Sequence, residues 1–319
     1  MKQTKQKMKN EVTAIGASMI DIYGRSEKPL LINDSNPGNI VVNCGGVTRN
    51  ISENLALCNV NVKLITTLAK DYFSDMIVKR CEQVGIDISA SYYQNDHATT
   101  TYMAILDDQG DMHVAVSDTN ALDNMPLSHI IKHQSLIEKS DMIVIDAALP
   151  EPIIDHILNI AQKSRIYVDP VSTNKAKSIK GKLSKFDTLK CNALEASYLS
   201  DIEINDRLSL ELASLELIKQ GLSNIFITLG KDGVYYQNKE TKGYLPSYAY
   251  TIKNATGAGD AFMAGIIYGG INDLSIQESA LFASGMSALA LDSITAVNPM
   301  ITVNKVMEII RNGEKYELK

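Results

Sequence analysis

The sequence predicts an α/β protein in which helices cover both faces of a mostly parallel sheet, with a small antiparallel sheet beside it. Three observations support this fold class. Short apolar runs rich in β-branched residues alternate with segments of helical spacing, and strands joined through helices pair in parallel. Two segments, 20–43 and 91–118, contain strand patterns without intervening helices. At 319 residues the chain is long enough for one large α/β unit.

The elements of the main sheet follow from apolar spacing. Five short, mostly apolar runs predict buried strands at 12–16, 62–66, 142–146, 166–169 and 225–229. The segment 150–163 opens with a proline and carries isoleucines at helical spacing, and 206–220 places three leucines on one face before Gly221 ends the pattern. These two segments predict helices that cover the sheet.

The two segments without helices predict the small sheet. In the second, strand patterns at 101–106 and 112–116 flank D-D-Q-G at 107–110, a sequence that favours a hairpin turn. Pieces from about 20–43 and 91–118 would together form an antiparallel sheet. We expect it to act as a lid over the carboxyl ends of the parallel strands, where open α/β sheets bind ligands.

Composition excludes several classes of function. With 31 basic and 37 acidic side chains the net charge is −6, which argues against nucleic acid or an anionic membrane as the main partner. The apolar stretch 280–297 contains serines and Asp292, so we expect a buried helix and no membrane span.

The four cysteines form no C-x-x-C pair, which is typical of reduced thiols in a cytoplasmic protein. Residues 1–10 lack the apolar core of a signal peptide; we expect them to be a flexible tail before a single domain, 11–319.

The clearest chemical signal is T-G-A-G-D-A-F at 256–262. Its small residues allow the backbone to approach a ligand, and the helix that follows has amides that attract an anion. Asp260 would be ionised at neutral pH and could accept a proton beside that anion. These are requirements of phosphoryl transfer, although the same letters also fit a glycine turn capped by Asp260. No Walker A sequence, G-x-x-x-x-G-K-[ST], occurs in the chain.

Four motifs resemble signatures of the ribokinase-like, or phosphofructokinase-B, family of sugar and nucleoside kinases. They are G-G-V-T-R-N at 45–50, N-A-L-E at 192–195, T-L-G-K-D-G at 228–233 and T-G-A-G-D-A-F at 256–262. Their order and spacing fit the family from about residue 12 to the C-terminus. The resemblance implies a ribokinase-like three-layer α/β/α fold with a β lid, and a kinase that uses ATP and Mg²⁺.

Within the family the chain most resembles the pseudouridine kinases. D-S-N-P-G at 34–38, the glycine-pair motif at 45–50 and V-D-P-V-S at 168–172, followed by Lys175, support this, as does Asn254 before the glycine turn. The resemblance implies phosphorylation of the 5′-hydroxyl of pseudouridine to give pseudouridine 5′-phosphate. The alternative is another kinase of the family that acts on ribose, a different nucleoside or a phosphorylated sugar.

The resemblance also assigns residues to the acceptor side. Asp260 would be the general base, and the amides of Gly257, Ala258 and Gly259 would hold the transferring phosphoryl group. The sugar would contact Asp21, Gly45, Gly46 and Asn50, and the base would contact Ser35, Asn36, Asp118 and Lys175. Taken alone, Asp21 fits a strand-end cap, Asn50 a helix N-cap and Lys175 a surface lysine.

On the donor side the resemblance predicts an ATP pocket and a magnesium site. The pocket would be lined by Thr228, Gly230, Gly233, Ser287 and Asn298. Asn192 and Glu195 would position Mg²⁺, with Glu195 acting through water because Mg²⁺ keeps several waters; alone, Glu195 also fits a solvated helix residue. Many relatives bind a monovalent cation near the glycine turn, and Asn254 replaces their usual Asp, which leaves K⁺ dependence open.

Two interpretations from other classes compete with a kinase. A non-catalytic binder that kept the fold is disfavoured by the intact Asp260 and its glycine turn. A dinucleotide-binding dehydrogenase would need G-x-G-x-x-G after the first strand, where the chain has G-A-S-M at 16–19. A lid sheet with an apolar face and open edges can be covered by a second copy, so we expect a homodimer through the lid.

Overall fold

The computed structural model describes residues 11–248 and 252–317, so the predicted tail, 1–10, lies outside the described residues. The strands are β1 (Glu11–Ile15), β2 (Met19–Ser26), β3 (Gly38–Gly45), β4 (Asn61–Ile65), β5 (Thr67–Leu68), β6 (Tyr92–Tyr93), β7 (Thr101–Leu106), β8 (Met112–Asp118), β9 (Met142–Asp146), β10 (Arg165–Asp169), β11 (Thr188–Asn192), β12 (Asn224–Thr228), β13 (Val234–Asn238) and β14 (Lys242–Leu245). The helices are α1 (Val47–Leu57), α2 (Tyr72–Gln83), α3 (Asn120–Asp123), α4 (Leu127–Lys132), α5 (Gln134–Ile137), α6 (Glu151–Ile160), α7 (Ala193–Ser200), α8 (Arg207–Lys219), α9 (Ala258–Ile271), α10 (Ile276–Leu291) and α11 (Val303–Glu317). Short 3₁₀ helices lie at Lys175–Ser178, Leu183–Lys185 and Gly230–Asp232.

The large sheet has the order β14-β13-β12-β11-β10-β9-β1-β4. The strands from β12 to β4 are parallel, and β13 and β14 extend one edge through antiparallel pairs. All the strands predicted from apolar runs lie in this sheet, and the predicted helices at 150–163 and 206–220 are α6 and α8. The three leucines that share one face of α8 lie on its exposed side, and the helix packs through other residues, among them Leu210 and Leu217. In β9, Val144 joins the apolar core on one side of the sheet and Ile145 joins the core on the other. The three-layer α/β/α arrangement is therefore confirmed.

The small sheet has the order β3-β2-β7-β8. Its two hairpins are antiparallel, as predicted, with β2 paired to β3 and β7 paired to β8. Where the hairpins meet, β2 and β7 pair in parallel, because both begin at the same end of the sheet, with Ile20 opposite Thr101. The start of the second predicted lid segment goes elsewhere, since β6 pairs with β5 in a separate two-stranded sheet.

The register gives the lid a polar and an apolar face, because residues directly opposite each other across strands share a face. Asp21 lies opposite Asn43 and Tyr102. This polar face and the loop before α9 enclose a cavity of about 660 Å³. On the other face Val42 and Met103 are exposed. The polar face is thus turned toward the start of α9.

The predicted buried helix at 280–297 corresponds to α10, which begins earlier, at Ile276, and ends at Leu291, so residues 292–297 lie in the loop after it. It packs against α9, where Tyr268 and Phe282 stack with ring centroids 4.4 Å apart. None of the helices in the described ranges is both long and apolar enough to cross a membrane. All four cysteines carry free thiols, as predicted.

Candidate active site

The glycine turn forms the N-terminus of α9. Gly257 is the N-cap, with a φ of 83°, and a Cβ atom there would overlap the carbonyl oxygen of Ala296, so glycine is required. The N–H groups of Ala258, Gly259 and Asp260 begin the helix and have no carbonyl one turn earlier to bind. Together with the helix dipole they make the turn able to bind a phosphoryl group.

Asp260 lies in the first turn of α9 and is buried. Its Oδ2 accepts a hydrogen bond of 2.8 Å from Asn50 Nδ2. Burial raises the pKa of Asp260 to about 7; Asp169 adds to this rise, and Lys190, Asn50 and Arg49 oppose it. An ionised carboxylate is expected from the sequence, whereas the buried group is about half protonated near pH 7. A base with a pKa near the working pH both accepts and releases protons readily.

A buried lysine lies beside the glycine turn. Lys190 Nζ donates to Asp169 Oδ2 at 2.7 Å, and a Cβ atom on Gly259 would lie 2.8 Å from that nitrogen. Burial lowers the pKa of Lys190, but the charges of Asp169 and Asp260 outweigh it and the pKa is raised. The ammonium group therefore stays charged under the turn. Sequence reasoning missed Lys190, although a lysine inside the apolar strand β11 was an available signal.

The predicted sugar contacts lie at the base of the lid. Asp21 is buried in β2, and burial raises its pKa to about 6. Gly45 is so close that a Cβ atom would overlap the Asp21 carboxylate. Gly46 is the N-cap of α1, so Asn50 is not that cap, and its side chain reaches Asp260. The glycine pair, Asp21 and Asn50 are thus gathered on the lid side of the carboxylate of Asp260.

The start of α1 is fixed by a buried carboxylate of the large sheet. Thr48 Oγ1 donates to Asp146 Oδ2 at 2.7 Å, and the backbone N–H of Ala17 donates to the same oxygen at 2.8 Å. Asp146 ends β9, so these bonds tie α1 to the carboxyl edge of the sheet. This anchor sets the position of the glycine pair and Asn50.

A buried ion network leads from Asn50 toward the surface. Arg49 Nη2 donates to Asn50 Oδ1 at 2.7 Å, and Arg49 Nη1 lies 2.7 Å from Glu53 Oε2. Glu53 Oε1 also accepts a hydrogen bond of 2.7 Å from Arg80 Nε of α2. Sequence reasoning assigned no role to this network. The spacing of four between Arg49 and Glu53, which places both on one helix face, was an available signal.

A cavity of about 390 Å³ opens on the other side of the glycine turn. Four predicted nucleotide residues line it, namely Thr228, Gly230, Gly233 and Ser287. Asn298 does not; its Nδ2 donates to the carbonyl oxygen of Leu289 at 2.7 Å and holds the loop after α10. Sequence reasoning missed further lining residues, among them Val234, Phe262, Ser284, Ala288 and Leu291. Positions 284, 287, 288 and 291 share one face of α10, and this spacing was a signal for them.

Asn192 and Glu195 form a capping box at the start of α7. The backbone N–H of Glu195 donates to Asn192 Oδ1 at 2.9 Å, and that of Asn192 donates to Glu195 Oε2 at 2.8 Å. Glu195 is 4% exposed, which excludes a freely solvated helix residue, and burial raises its pKa. Over the described ranges no three His, Cys, Asp or Glu side chains are grouped to hold a metal directly. A single carboxylate near the phosphate site fits Mg²⁺ held through waters.

The four predicted base contacts lie apart from these groups. Ser35 and Asn36 are in the exposed loop between β2 and β3. Asp118 is exposed at the end of β8, and Lys175 Nζ lies 3.4 Å from Asp123 Oδ1. Within the described residues no hydrogen bond or ion pair joins any of the four to the sugar contacts. Their contact with a base stays a prediction.

The carboxamide of Asn254 braces the loop before the glycine turn. Its Nδ2 donates to the carbonyl oxygen of Ile294 at 3.2 Å, and its Oδ1 accepts from the backbone N–H of Thr256 at 2.9 Å. Both ends of this side chain are therefore engaged within the protein. K⁺ dependence stays an open prediction.

Comparison with known proteins places this geometry in a family. A sequence model of the pfkB family carbohydrate kinases matches residues 9–303. The pseudouridine kinase of Escherichia coli K12 is 32% identical over 96% of this chain and 98% of that protein, and the guanosine-inosine kinase of Exiguobacterium acetylicum is 25% identical over 85% and 89%. The structure of Arabidopsis thaliana ribokinase complexed with ribose and ATP matches with a TM-score of 0.82 at 16% identity, over 95% of this chain and 99% of that one, which confirms the ribokinase-like fold. The chain therefore belongs to the pfkB family of carbohydrate kinases.

Proposed function

We propose that the protein transfers a phosphoryl group from ATP to the 5′-hydroxyl of pseudouridine, giving pseudouridine 5′-phosphate. Kinases of this family use ATP and act on sugars or nucleosides. The likeness to a pseudouridine kinase over nearly the whole chain supports the finer assignment. One observation carries the mechanism. The glycine turn and the loop before it border both cavities, with Gly259 at the donor cavity and Thr256 at the lid cavity, and Asp260 follows directly.

On the acceptor side, Asp21 accepts hydrogen bonds from the sugar hydroxyls, and Gly45 lets the sugar lie close to the backbone. Asp260 takes the proton of the 5′-hydroxyl while that oxygen attacks the γ-phosphorus of ATP. The bond between the γ-phosphorus and the bridging oxygen breaks, ADP leaves, and the proton remains on Asp260. Because burial places the pKa of Asp260 at about 7, the protonated form returns its proton to solvent readily.

On the donor side, the amides of Gly257, Ala258 and Gly259 hold the transferring phosphoryl group. Lys190 adds a buried positive charge directly under the turn, where negative charge accumulates during transfer. Glu195, fixed by its capping box with Asn192, would hold Mg²⁺ through water. When bound, that ion neutralises charge on the phosphates of ATP.

The lid cavity is the proposed place for the uracil-like ring. Tyr23 and Tyr102 both line it and meet edge to face, with ring centroids 6.3 Å apart. Their faces suit stacking against a planar base. The polar contacts proposed for the ring are Ser35, Asn36, Asp118 and Lys175. None of these four residues lines the cavity, so their participation requires the segments that carry them to move toward the substrate.

The test is ATP turnover with Mg²⁺ against pseudouridine, uridine, cytidine, adenosine, ribose and fructose 6-phosphate. We expect selective turnover of pseudouridine, and a loss of about 100-fold or more in kcat for Asp260→Asn with ATP still bound. Asp273→Asn makes the same chemical change at an exposed residue after α9 and should keep wild-type turnover. Selective use of ribose or another nucleoside would replace the substrate and keep the mechanism. Near-normal turnover by Asp260→Asn would remove that residue as the base.

Wider features of the protein are also proposed. We propose that residues 11–319 form one domain, that two copies pair through the outer face of the lid, and that the protein works in the cytoplasm, where ATP is supplied. K⁺ dependence is read from the same assay with Na⁺ in place of K⁺. Equal turnover in both salts would exclude a role for K⁺.

A further inference from the structure

We propose that Arg49 is a positioning residue, which holds the Asn50 carboxamide with its NH₂ group toward Asp260, and that Glu53 and Arg80 hold Arg49 in place. The proposal rests on the proposed function, in which Asp260 is the base. Arg49 lines neither of the two cavities beside the glycine turn; it borders a third, of about 410 Å³, between the lid and α2. It therefore acts on the site through its contact with Asn50 and through its charge, which lowers the pKa of Asp21 and of Asp260.

The chemistry of the guanidinium group decides which way Asn50 faces. An arginine can only donate hydrogen bonds, so the Asn50 atom 2.7 Å from Arg49 Nη2 has to be the oxygen. The nitrogen of the same carboxamide is then the atom that lies 2.8 Å from Asp260 Oδ2. A reversed carboxamide would set its NH₂ against the guanidinium and its oxygen against the carboxylate. Both contacts would be repulsive.

The ion network keeps Arg49 in this orientation inside the protein. The side chains of Arg49 and Glu53 are each 2% exposed, and buried charges are unfavourable unless they are paired. Glu53 pairs with Arg49 through one oxygen and with Arg80 of α2 through the other. In the described structure Arg49 Nε has no hydrogen-bond partner. The guanidinium is thus aligned toward Glu53 and Asn50, and the thiol of Cys44 also lies beside it.

The direction of Asn50 matters because Asp260 lies among opposing groups. Asp169 of β10 favours its protonated form, and Lys190 of β11 favours its ionised form. A donor at Asn50 stabilises the ionised form and fixes the oxygen that it binds. A carboxamide free to reverse would present its oxygen to the carboxylate part of the time. Asp260 would then be less often ionised and less well positioned, so catalysis would be weakened more than substrate binding.

A double-mutant cycle between Arg49 and Asn50 tests the proposal. Arg49→Met should lower kcat/KM by about 10- to 100-fold, with most of the loss in kcat. In an Asn50→Ala background the same change should cost clearly less, about threefold or below, because no carboxamide remains to be oriented and only the direct effect of the lost charge on Asp21 and Asp260 is left. Equal losses in the two backgrounds would show that Arg49 acts through its charge or through general structure alone, and would overturn the proposal.

Arg80→Gln is a second variant for the case in which Arg49→Met does not fold. The Arg80 side chain is 32% exposed, so its replacement disturbs the core less. We expect a smaller loss, of about threefold, that disappears in the Asn50→Ala background. A loss that persists there would count against the network. Lys79→Gln is the matched control. It removes the same charge from the same helix, beside the same cavity, at a residue outside the chain of contacts, and should keep wild-type kcat/KM.

A readout without turnover separates this proposal from the proposed function. The titration of Asp260, followed by NMR of ¹³C-labelled aspartate and assigned from Asp260→Asn, should move to higher pH in Arg49→Met. The move should be larger with Asn50 present than in the Asn50→Ala background, which measures the direct effect of the lost charge. If the titration moves more with Asn50 present but the protein turns over no substrate of the panel, the positioning role of Arg49 is supported and the proposed phosphorylation reaction is rejected. An equal move in both backgrounds would overturn the positioning role whatever the substrate.

Discussion

Burial raises the pKa of two carboxyl groups in the candidate site, Asp21 to about 6 and Asp260 to about 7. The two groups differ in what opposes burial. For Asp21 it is the charge of Arg49, and for Asp260 it is first the charge of Lys190. Both groups therefore become ionised between pH 5 and 8, higher than an ordinary aspartate. The fraction of Asp260 that is ionised, and can act as the base, should therefore rise with pH between pH 5 and 8.

We expect kcat/KM for the nucleoside, at saturating ATP and Mg²⁺, to rise with pH and level off above an apparent pKa of about 7. The reason is that only ionised Asp260 accepts the hydroxyl proton. Initial rates between pH 5 and 9 measure this limb. An acid limb near pH 4 would show that burial does not control the protonation of the base.

The pH dependence of the free energy of unfolding tests the same pKa of Asp260 and requires no enzyme turnover. The folded-state pKa of Asp260, about 7, lies above the ordinary value of 3.8, so the folded protein binds this proton more tightly than the unfolded chain. The free energy of unfolding therefore falls as pH rises between these two values. Asp260→Asn removes the effect, so its stability relative to the wild type should rise with pH by up to about 4 kcal/mol. Urea unfolding of the two proteins at pH 4 and pH 8 measures the difference, and Asp273→Asn should show none.

Five of the eight strands of the large sheet could be predicted from local apolar runs, whereas β11, β13 and β14 were not among the predicted runs. A strand buried on both faces is a continuous apolar run, and β9 and β12 have that character. The parallel pairing of β2 with β7 could not be predicted, because it joins two hairpins far apart in sequence. Lys190 and Arg80 were missed for the same reason. Each gains its role from a partner on another element, Asp169 for Lys190 and Glu53 for Arg80.

The meeting of Asn50 with Asp260 follows from the positions of their two motifs at the carboxyl edge of the sheet. Asn50 and Asp260 each lie in the first turns of a helix, and both helices start at that edge, so the two side chains meet. Ser35 lies on an exposed loop whose position depends on the lid. Asn298 was assigned by its approximate place near the C-terminus, and the structure uses it to hold the loop after α10.

One face of α10 forms a wall of the donor cavity. Ser287 is half-buried there, so Ser287→Phe should fit on the helix but fill space that the nucleotide needs. We expect the KM for ATP to rise by about tenfold or more, with the KM for the nucleoside little changed. Steady-state kinetics with each substrate varied in turn measures the two values.

Gln277→Phe is the matched control for this change. Gln277 is exposed near the start of α10 and does not line the cavity, so an added phenyl ring there should leave both KM values unchanged. A normal KM for ATP in Ser287→Phe would mean that the nucleotide does not lie against α10. An equal rise in both KM values would point to a disturbed helix.

At the scale of the whole molecule the outer face of the lid stands out. Two rows of directly opposed residues cross its four strands, the first being Ile22, Val42, Met103 and Val116, and the second Gly24, Ile40, Ile105 and Val114. Several are largely exposed, with Ile40 at 76% and Val116 at 68%. Contiguous apolar surface of this kind is uncommon on monomers, and the outer strands β3 and β8 also leave open edges. A second copy of the chain would cover both the face and the edges.

We expect the protein to sediment as a dimer at micromolar concentration, and Val116→Lys to sediment as a monomer, because an ammonium group on the apolar face of the lid would be buried without a partner in the dimer. Leu208→Lys on α8 is the matched control. Leu208 is also 68% exposed and lies away from the lid, so this variant should remain a dimer. Sedimentation velocity of the three proteins decides the matter. A monomeric wild type would remove the lid as an interface, whereas a Val116→Lys dimer would place the interface on another surface.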